Sequence, residues 1–445
     1  MALSLEDLRA QVDAGEVDTV VLGMTDMQGR LQGKRLTARH FVEDIAEHGA
    51  EGCNYLLAVD VDMNTVEGYA MASWEGGYGD FVMRPDLSTM RPVPWQPGTV
   101  IVLADVEWPD GSPVVASPRQ VLRRQLARLE ERGWVCNAAT ELEFLVFRTG
   151  YEEAWHAGYR DLEPANLYNV DYSLLGTSRV EPLIRRIRND MTAAGMRVED
   201  SKGECNLGQH EVNIRYGDAL TSADQHVIYK NGAKEIASLE DMSISFMAKF
   251  DEREGNSCHI HCSIADAGTG KNVFAGDRAL FESFVAGQQA NIEALTLLFA
   301  PNINSYKRYA SASFAPTAIA WGEDNRTCAL RVVGHGEGLR VENRVPGADV
   351  NPYLALAATI AAGLDGIDRG LELGPPCTGN AYEADVPQVP KTLHAARELF
   401  LASPLAKEAL GEDVVAHYAN MAQVELDAFG AAVTDWERFR GFERL

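Results

Sequence analysis

The sequence predicts a two-domain chain that mixes helices and strands, either α+β or α/β, and three observations carry that prediction. At 445 residues the chain is longer than a single hydrophobic core usually grows, so two domains are expected. After a first part of short strands and turns, helix-length segments alternate with strand-like runs. Three of those runs carry ionisable residues on alternate positions: Glu141 and Glu143 in T-E-L-E-F, His259 and His261 in C-H-I-H-C, and Arg340, Glu342 and Arg344 in R-V-E-N-R. Residues two apart on a strand share a face, so each run sets charge on one side and mostly Leu, Phe, Ile, Val or Cys on the other. Charged strands of this kind line a polar cavity suited to metal and phosphate.

Taken in order, the first eleven residues read as a capped amphipathic helix, too interrupted by charge for a signal peptide. Strands are expected in V-D-T-V-V-L-G-M-T-D-M-Q-G-R, from Tyr55 to Val61 and from Thr99 to Val106, with a turn-rich stretch between Trp74 and Gly98. Trp108-Pro-Asp-Gly-Ser-Pro is a break. Just beyond it, Ser117 stands as N-cap and Pro118 at the first helical position. A boundary is therefore expected near 110–117, dividing residues 1–112 from 113–445. Helices are expected at about 118–132, 181–195, 221–238, 278–298 and 352–370, and from Thr392 to Leu445 the chain reads as helical and acidic. It contains no evident internal repeat or low-complexity tract.

Composition narrows the class. No run is long and apolar enough to span a bilayer. The seven scattered cysteines form no C-x-x-C pair, which suggests free thiols and a cytoplasmic location. A formal charge of −25, from 65 acids against 40 bases, argues against nucleic acid and anionic membrane as partners. Part of the surplus carboxylate suits hard cations, which take oxygen ligands.

The constellations reinforce this chemistry. Glu141 and Glu143 as close neighbours would repel unless a cation sits between them or one holds a proton. Glu204 and Glu211 bracket G-E-C-N-L-G-Q-H-E-V-N-I-R-Y, where Gly208 supplies a turn and Glu211, Asn213 and Arg215 share a strand face. In C-H-I-H-C, strand parity turns Cys258 and Cys262 away from His259 and His261, so the four cannot converge on one tetrahedral zinc. N-S-Y-K-R, ending at Arg308, and D-N-R-T-C-A-L-R, with Arg326 and Arg331, add guanidiniums whose forks suit carboxylate and phosphate. Gly334-His-Gly-Glu-Gly has neither dinucleotide nor P-loop spacing and reads as a mobile loop. Acids for divalent cations beside arginines for anions fit phosphoryl transfer from a nucleotide.

T-E-L-E-F, G-E-C-N-L-G-Q-H-E, the H-I-H strand, N-S-Y-K-R, D-N-R-T-C-A-L-R and R-V-E-N-R-V-P-G-A-D-V-N-P-Y resemble, in that order over nearly the whole chain, the glutamine synthetase family. The resemblance implies an α+β fold, with a small N-terminal β-grasp-like domain and a large catalytic domain of curved antiparallel strands backed by helices. It also implies a homo-oligomer, a dodecamer of two hexameric rings. Carried over residue by residue, one metal would be held by Glu143, Glu204 and Glu211 and a second by Glu141, His259 and Glu342, in a site taking two to three Mg²⁺ or Mn²⁺. Glu199, Ile214, Arg215, Tyr216, His261 and Ser263 resemble nucleotide positions, with Arg331 at the phosphates of ATP. Gly255, Arg308, Arg326 and Arg344 resemble positions that hold L-glutamate or the transferring phosphoryl group. Arg326, Arg344 and Glu342 are the implied catalytic residues.

The implied chemistry is attack of the glutamate γ-carboxylate on the terminal phosphate of ATP, followed by attack of an amine on the acyl phosphate. Departures from the family pattern bear on the amine. Glutamine-forming members place a flap glutamate six residues after the arginine of N-S-Y-K-R; here Phe314 stands there. Their N-terminal Asp-Gly-Ser-Ser segment corresponds to A-S-W-E-G-G-Y-G-D, and the Asn-Gly of their glutamate loop has become Glu254-Gly255. Losing anions weakens ammonium binding, whereas a phenyl ring supplies an apolar or cation–π wall for a carbon-bearing amine. The pattern therefore resembles the γ-glutamyl-amine branch, with ethanolamine first and a polyamine or ammonia as alternatives. A non-catalytic member is the contrasting expectation, disfavoured by the intact acids. Tyr382, where some members are adenylylated, reads as an ordinary surface tyrosine.

Overall fold

In a computed structural model describing residues 3–445, the chain builds two β-sheets and packs most of its long helices against the second. The first helix, Leu5–Asp13, is closed by a reciprocal cap: Ser4 Oγ accepts from the Asp7 N–H at 3.0 Å and the Asp7 carboxylate accepts from the Ser4 N–H at 3.2 Å. Its Leu8 and Val12 join the core of a five-stranded sheet made of β1 (Thr19–Thr25), β2 (Leu31–Thr37), β3 (Ala50–Cys53), β4 (Asp80–Pro92) and β5 (Thr99–Glu107). The order is β2-β1-β5-β4-β3, with β1 and β5 parallel and the other pairs antiparallel.

Two expectations fail in this sheet. Tyr55–Val61 is not a strand: Asn54–Leu57 forms a 3₁₀ turn, and Leu57 at its end and Ala58 and Val59 just beyond it bury their side chains. The Asn54 side chain donates to the Met71 carbonyl at 2.8 Å, fastening the turn to a loop instead of a ladder. Conversely, the turn-rich stretch from Trp74 to Gly98 contains the 13-residue β4. Its prolines are tolerated because β3 covers only Asp80–Met83, so Pro85 and Pro92 lie where that flank of β4 has no partner strand.

The second sheet has β6 (Trp134–Phe147) at its centre, with β7 (Val198–Gly203), β8 (Gln209–Ile214), β9 (Gly217–Asp218), β10 (Ser243–Ser245), β11 (Cys258–Asp266), β12 (Trp321–Glu323), β13 (Leu330–Val333) and β14 (Arg340–Asn343). Its order is β12-β13-β14-β11-β6-β8-β7, β9 and β10 also pairing with β6. All pairs are antiparallel except β12 with β13.

The helices Pro118–Glu130, Glu181–Ala193, Ala219–Leu239, Arg278–Phe299 and Pro352–Arg369 end within two residues of expectation, and the C-terminal region is helical. Ser117 is the N-cap of the first of these without a side-chain capping bond. The Ala-rich helix Pro352–Arg369 is buried almost throughout and crosses Arg278–Phe299 closely; a Cβ on Gly363 would come within 2.0 Å of the Phe284 ring. Arg119 fastens the two sheets together. Its guanidinium, 3% exposed, pairs with Asp86 and Asp105 of the first sheet at 2.7 Å and with Asp224 of helix Ala219–Leu239 at 2.9 Å.

Candidate active site

Strand register assembles the charged face. Across the sheet, Arg331 lies opposite Glu342 and Glu342 opposite His261. Two residues along, His259 lies opposite Glu141, and Glu143 lies opposite Glu211, which in turn faces Lys202. All point to one face by the two-residue repeat. The other face is core: Cys258 and Cys262 are buried, and Cys262 Sγ sits 3.4 Å from Cys136 Sγ, away from the imidazoles.

Three groups of potential metal ligands emerge: Glu141 with His259 and Glu342, Glu143 with Glu204 and Glu211, and the more exposed Asp171 with Glu204 and Cys205. In each group one donor atom per residue lies within 4.8 Å of the others. Glu141 accepts from His261 Nε2 at 2.8 Å and approaches His259 Nδ1 at 3.1 Å. Burial alone would raise the Glu141 pKa, but these contacts outweigh it and hold the carboxyl well below its usual range. His259 is driven down to about 4, chiefly by burial and then by Arg344, and its buried Nε2 has no hydrogen-bond partner. Glu342, fully buried, accepts from Arg344 at 2.5 Å and Arg331 at 2.8 Å.

The second group has the opposite electrostatics. Burial and the Glu204 charge push Glu143 up to about 8, although it accepts from the Ser257 N–H at 2.7 Å and Gln209 at 3.1 Å. Glu211 is raised well above normal by burial and by Glu141, Glu143 and Glu204, and Glu204 is raised too despite its ion pair with Lys202. Carboxylates so raised lack positive charge. The unpartnered His259 nitrogen and this oxygen-rich donor set fit divalent cations.

The groups line a cavity of about 810 Å³, together with Gly255, Phe314, Arg326, Arg331 and Arg344. Arg308 is not in that lining. It is 1% exposed and lies beneath the wall, its guanidinium donating to the Val345 carbonyl and, at 3.4 Å, to Ser257 Oγ. Gly255 is confined: a Cβ there would lie 2.2 Å from the Ala248 carbonyl oxygen and 2.8 Å from Arg308 Cγ. Phe314 is 55% exposed, has φ +57°, and accepts through its carbonyl from Arg344 at 3.4 Å.

A second cavity of about 640 Å³ gathers Glu199, Ile214, Arg215, Tyr216, His261 and Ser263, and Glu141 lines both cavities. Arg215 and Tyr216 fall just past the end of β8, so the shared strand face expected for Glu211, Asn213 and Arg215 stops at Asn213. Arg344 likewise follows the end of β14 yet still reaches Glu342. Glu337 and Gly338 of the glycine-rich loop line the second cavity, and Glu337 accepts from the Asn272 backbone at 2.8 Å. Tyr382 is half-buried, and its hydroxyl donates to the Ala315 carbonyl beside Phe314 at 3.0 Å.

Sequence reasoning missed Lys202, Asp171 and Tyr172, all in the first cavity. Lys202 had a signal, standing two residues before Glu204 on a strand; Asp171 and Tyr172 lie in an irregular segment that no periodicity marks.

Residues 115–440 match the family described as glutamine synthetase, catalytic domain. A Streptomyces coelicolor protein named gamma-glutamylethanolamide synthetase GlnA4 is 63% identical over all of this chain and 96% of its own length. A Pseudomonas protein named glutamate–isopropylamine ligase is 37% identical over 97% of this chain and 96% of its own. The fold resembles a solved structure described as a GmaS/ADP complex, with a TM-score of 0.87 at 27% identity, covering 98% of this chain and 99% of that one.

Proposed function

This chain belongs to the glutamine synthetase family, and on that premise we propose that it is an ATP-dependent ligase joining the γ-carboxylate of L-glutamate to an amine, ethanolamine first. The observation that carries the proposal is the meeting of two acid groups and three arginines in one cavity, with Phe314 in place of an acid on its flap. The names of the relatives at 63% and 37% identity, both amine ligases, support the same amine class.

Glu143, Glu204 and Glu211 would hold one divalent cation and Glu141, His259 and Glu342 a second, Mg²⁺ or Mn²⁺. Bound there, the cations neutralise phosphate oxygens and ease approach of the nucleophile. Glu199, Ile214, Arg215, Tyr216, His261 and Ser263 would take the nucleotide, whose phosphates enter the first cavity past Glu141. Arg326, Arg331 and Arg344 would then meet the charge that develops on the transferring phosphoryl group. Glu342, salt-bridged to Arg331 and Arg344, keeps both guanidiniums turned toward that cavity. Gly255 and the backbone braced by Arg308 would seat glutamate.

The first 112 residues would form a domain apart from residues 113–445, and copies of the chain would assemble as two hexameric rings. The amine is tested by phosphate release from ATP and glutamate across a panel. Ethanolamine should be turned over strongly, a polyamine less so, and ammonium weakly; equal or better turnover with ammonium overturns the assignment and makes the chain a glutamine synthetase.

A further inference from the structure

Helix Ala219–Leu239 runs behind the strands that carry the second cavity, and two of its buried side chains end in polar atoms without a partner. His226 and Tyr229 stand three residues apart, and so on one face of the helix, each 2% exposed. The Nε2 of His226 and the hydroxyl of Tyr229 form no hydrogen bond. Buried polar groups in native proteins are almost always satisfied, by protein or by ordered water.

The sheet beside them is interrupted. β6 pairs with β9 through Asn137 and Ala138 and with β8 from Glu143 to Leu145. Among the described residues, that flank of β6 has no partner strand from Ala139 to Leu142. A cavity of about 10 Å³ lies at this gap, lined by His226, Tyr229, Ala139, Thr140, Ile214 and Arg215 among others. The last four also line the second cavity, so the gap adjoins the nucleotide positions. Ser222 Oγ donates to the Ala138 carbonyl at 2.7 Å, and His226 Nδ1 meets Thr140 Oγ1 at 3.0 Å, which leaves Nε2 for the gap.

Size and charge name the occupant. About 10 Å³ is the room that one water needs. Burial, and then Lys230, holds the His226 imidazole neutral, while burial, and then Glu211, keeps the Tyr229 hydroxyl protonated. Each group therefore donates or accepts as its partner requires. The lysine disfavours a cation here and the glutamate an anion.

We propose that one ordered water occupies this gap, bridging His226 Nε2 and the Tyr229 hydroxyl, and that the two residues thereby position the floor of the nucleotide cavity. Thr140, held by His226, immediately precedes Glu141 on β6, and Ile214 and Arg215 form the opposite rim. The effect on the nucleotide rests on the ligase assignment above and deepens it; the water site itself does not.

Tyr229→Phe removes one partner of the water and keeps the ring. KM for ATP should rise about threefold to tenfold, the worth of one hydrogen bond, with KM for glutamate and the amine within about twofold. His226→Asn, whose amide reaches Thr140 but not the gap, should do the same, and the two together little more, since they share one water. His226→Gln returns a polar atom to the Nε2 position and should restore KM. A high-resolution crystal structure should show the water within hydrogen-bond distance of both groups, and show it lost in Tyr229→Phe. A dry gap overturns the site. A water present while KM for ATP is unmoved, or while KM for glutamate rises equally, or a rise that His226→Gln fails to reverse, overturns the positioning role. If the unsubstituted protein fails to bind ATP in titration calorimetry, the ligase assignment falls and the positioning role with it, whereas the water site is still decided by the crystal structure.

Discussion

Glu143 and Glu141 stand two residues apart on one strand, yet their neighbours drive them in opposite directions. Glu141, between two histidines, stays ionised at neutral pH, while Glu143 is pushed up to about 8, chiefly by burial and then by Glu204. A divalent cation takes the ionised form, so binding at Glu143, Glu204 and Glu211 must displace protons. The sign follows: below about pH 8 the metal-free site holds a proton at Glu143, and the apparent affinity for Mg²⁺ falls as pH falls. The slope for one displaced proton is about tenfold per pH unit. Titration calorimetry at pH 7 in two buffers of different ionisation heat should show proton release; identical heats would refute it. Glu141→Ala removes a residue that lines both cavities, and amide formation should drop by about a hundredfold or more, as expected when a transition-state charge stabiliser is disturbed. Unchanged turnover would show the metal assignment to be wrong.

At the scale of elements, junctions depend on a few buried polar groups. Arg119, at the start of helix Pro118–Glu130, is the shared partner of Asp86, Asp105 and Asp224. Arg119→Leu would leave acids with reduced compensation, Arg123 reaching only the first two. It should cost about 3–5 kcal/mol in urea unfolding; a loss below about 1 kcal/mol would mean that the junction does not depend on it. Helix Glu412–Ala431 docks differently, setting His417 against Tyr69 at a 4.6 Å centroid distance and Met27 Sδ at 2.9 Å. Burial holds His417 down to about 4, against 6.5 unperturbed. The unfolded chain therefore takes up this proton first, so the stabilisation is full above pH 6.5 and is lost as pH falls toward 4, by about 1.4 kcal/mol per unit. His417→Gln should flatten that limb of the stability curve. Legibility differs in the same way between elements. The charged strands and the long helices could be read because period two and period 3.6 leave marks in the sequence. The 3₁₀ turn at Asn54 and the proline-bearing β4 could not, since each is set by a distant partner, the Met71 carbonyl in one case and the short reach of β3 in the other. Within the site, parity identified Glu141, Glu143, His259, His261 and Glu342, whereas the cavity position of Asp171 and the burial of Arg308 depend on contacts between segments far apart in sequence.

At the scale of the whole molecule, the C-terminal segment carries an apolar surface that a single chain does not explain. Its last helix, Asp435–Gly441, opens with a reciprocal cap in which Thr434 and Glu437 satisfy each other's backbone groups. Trp436 and Phe439 on it, and Phe442 and Leu445 just beyond it, recur every third residue and are 69%, 83%, 93% and 101% exposed. Arg160 pairs with Asp435 and fixes the stripe to the catalytic body without covering it. Four large apolar groups in one exposed row are unusual on a monomer and common at an interface between subunits. If copies of the chain form the proposed two-ring assembly, this row is a natural contact between them. Light scattering behind size exclusion should then give a particle about twelve times the 48.7 kDa chain mass. Phe439→Glu with Phe442→Glu should yield a smaller particle with an unchanged circular dichroism spectrum, because neither side chain supports the core. A twelve-fold particle that survives both charges would remove the C-terminal row from the interface, and a monomer of the unsubstituted chain at micromolar concentration would refute the assembly itself.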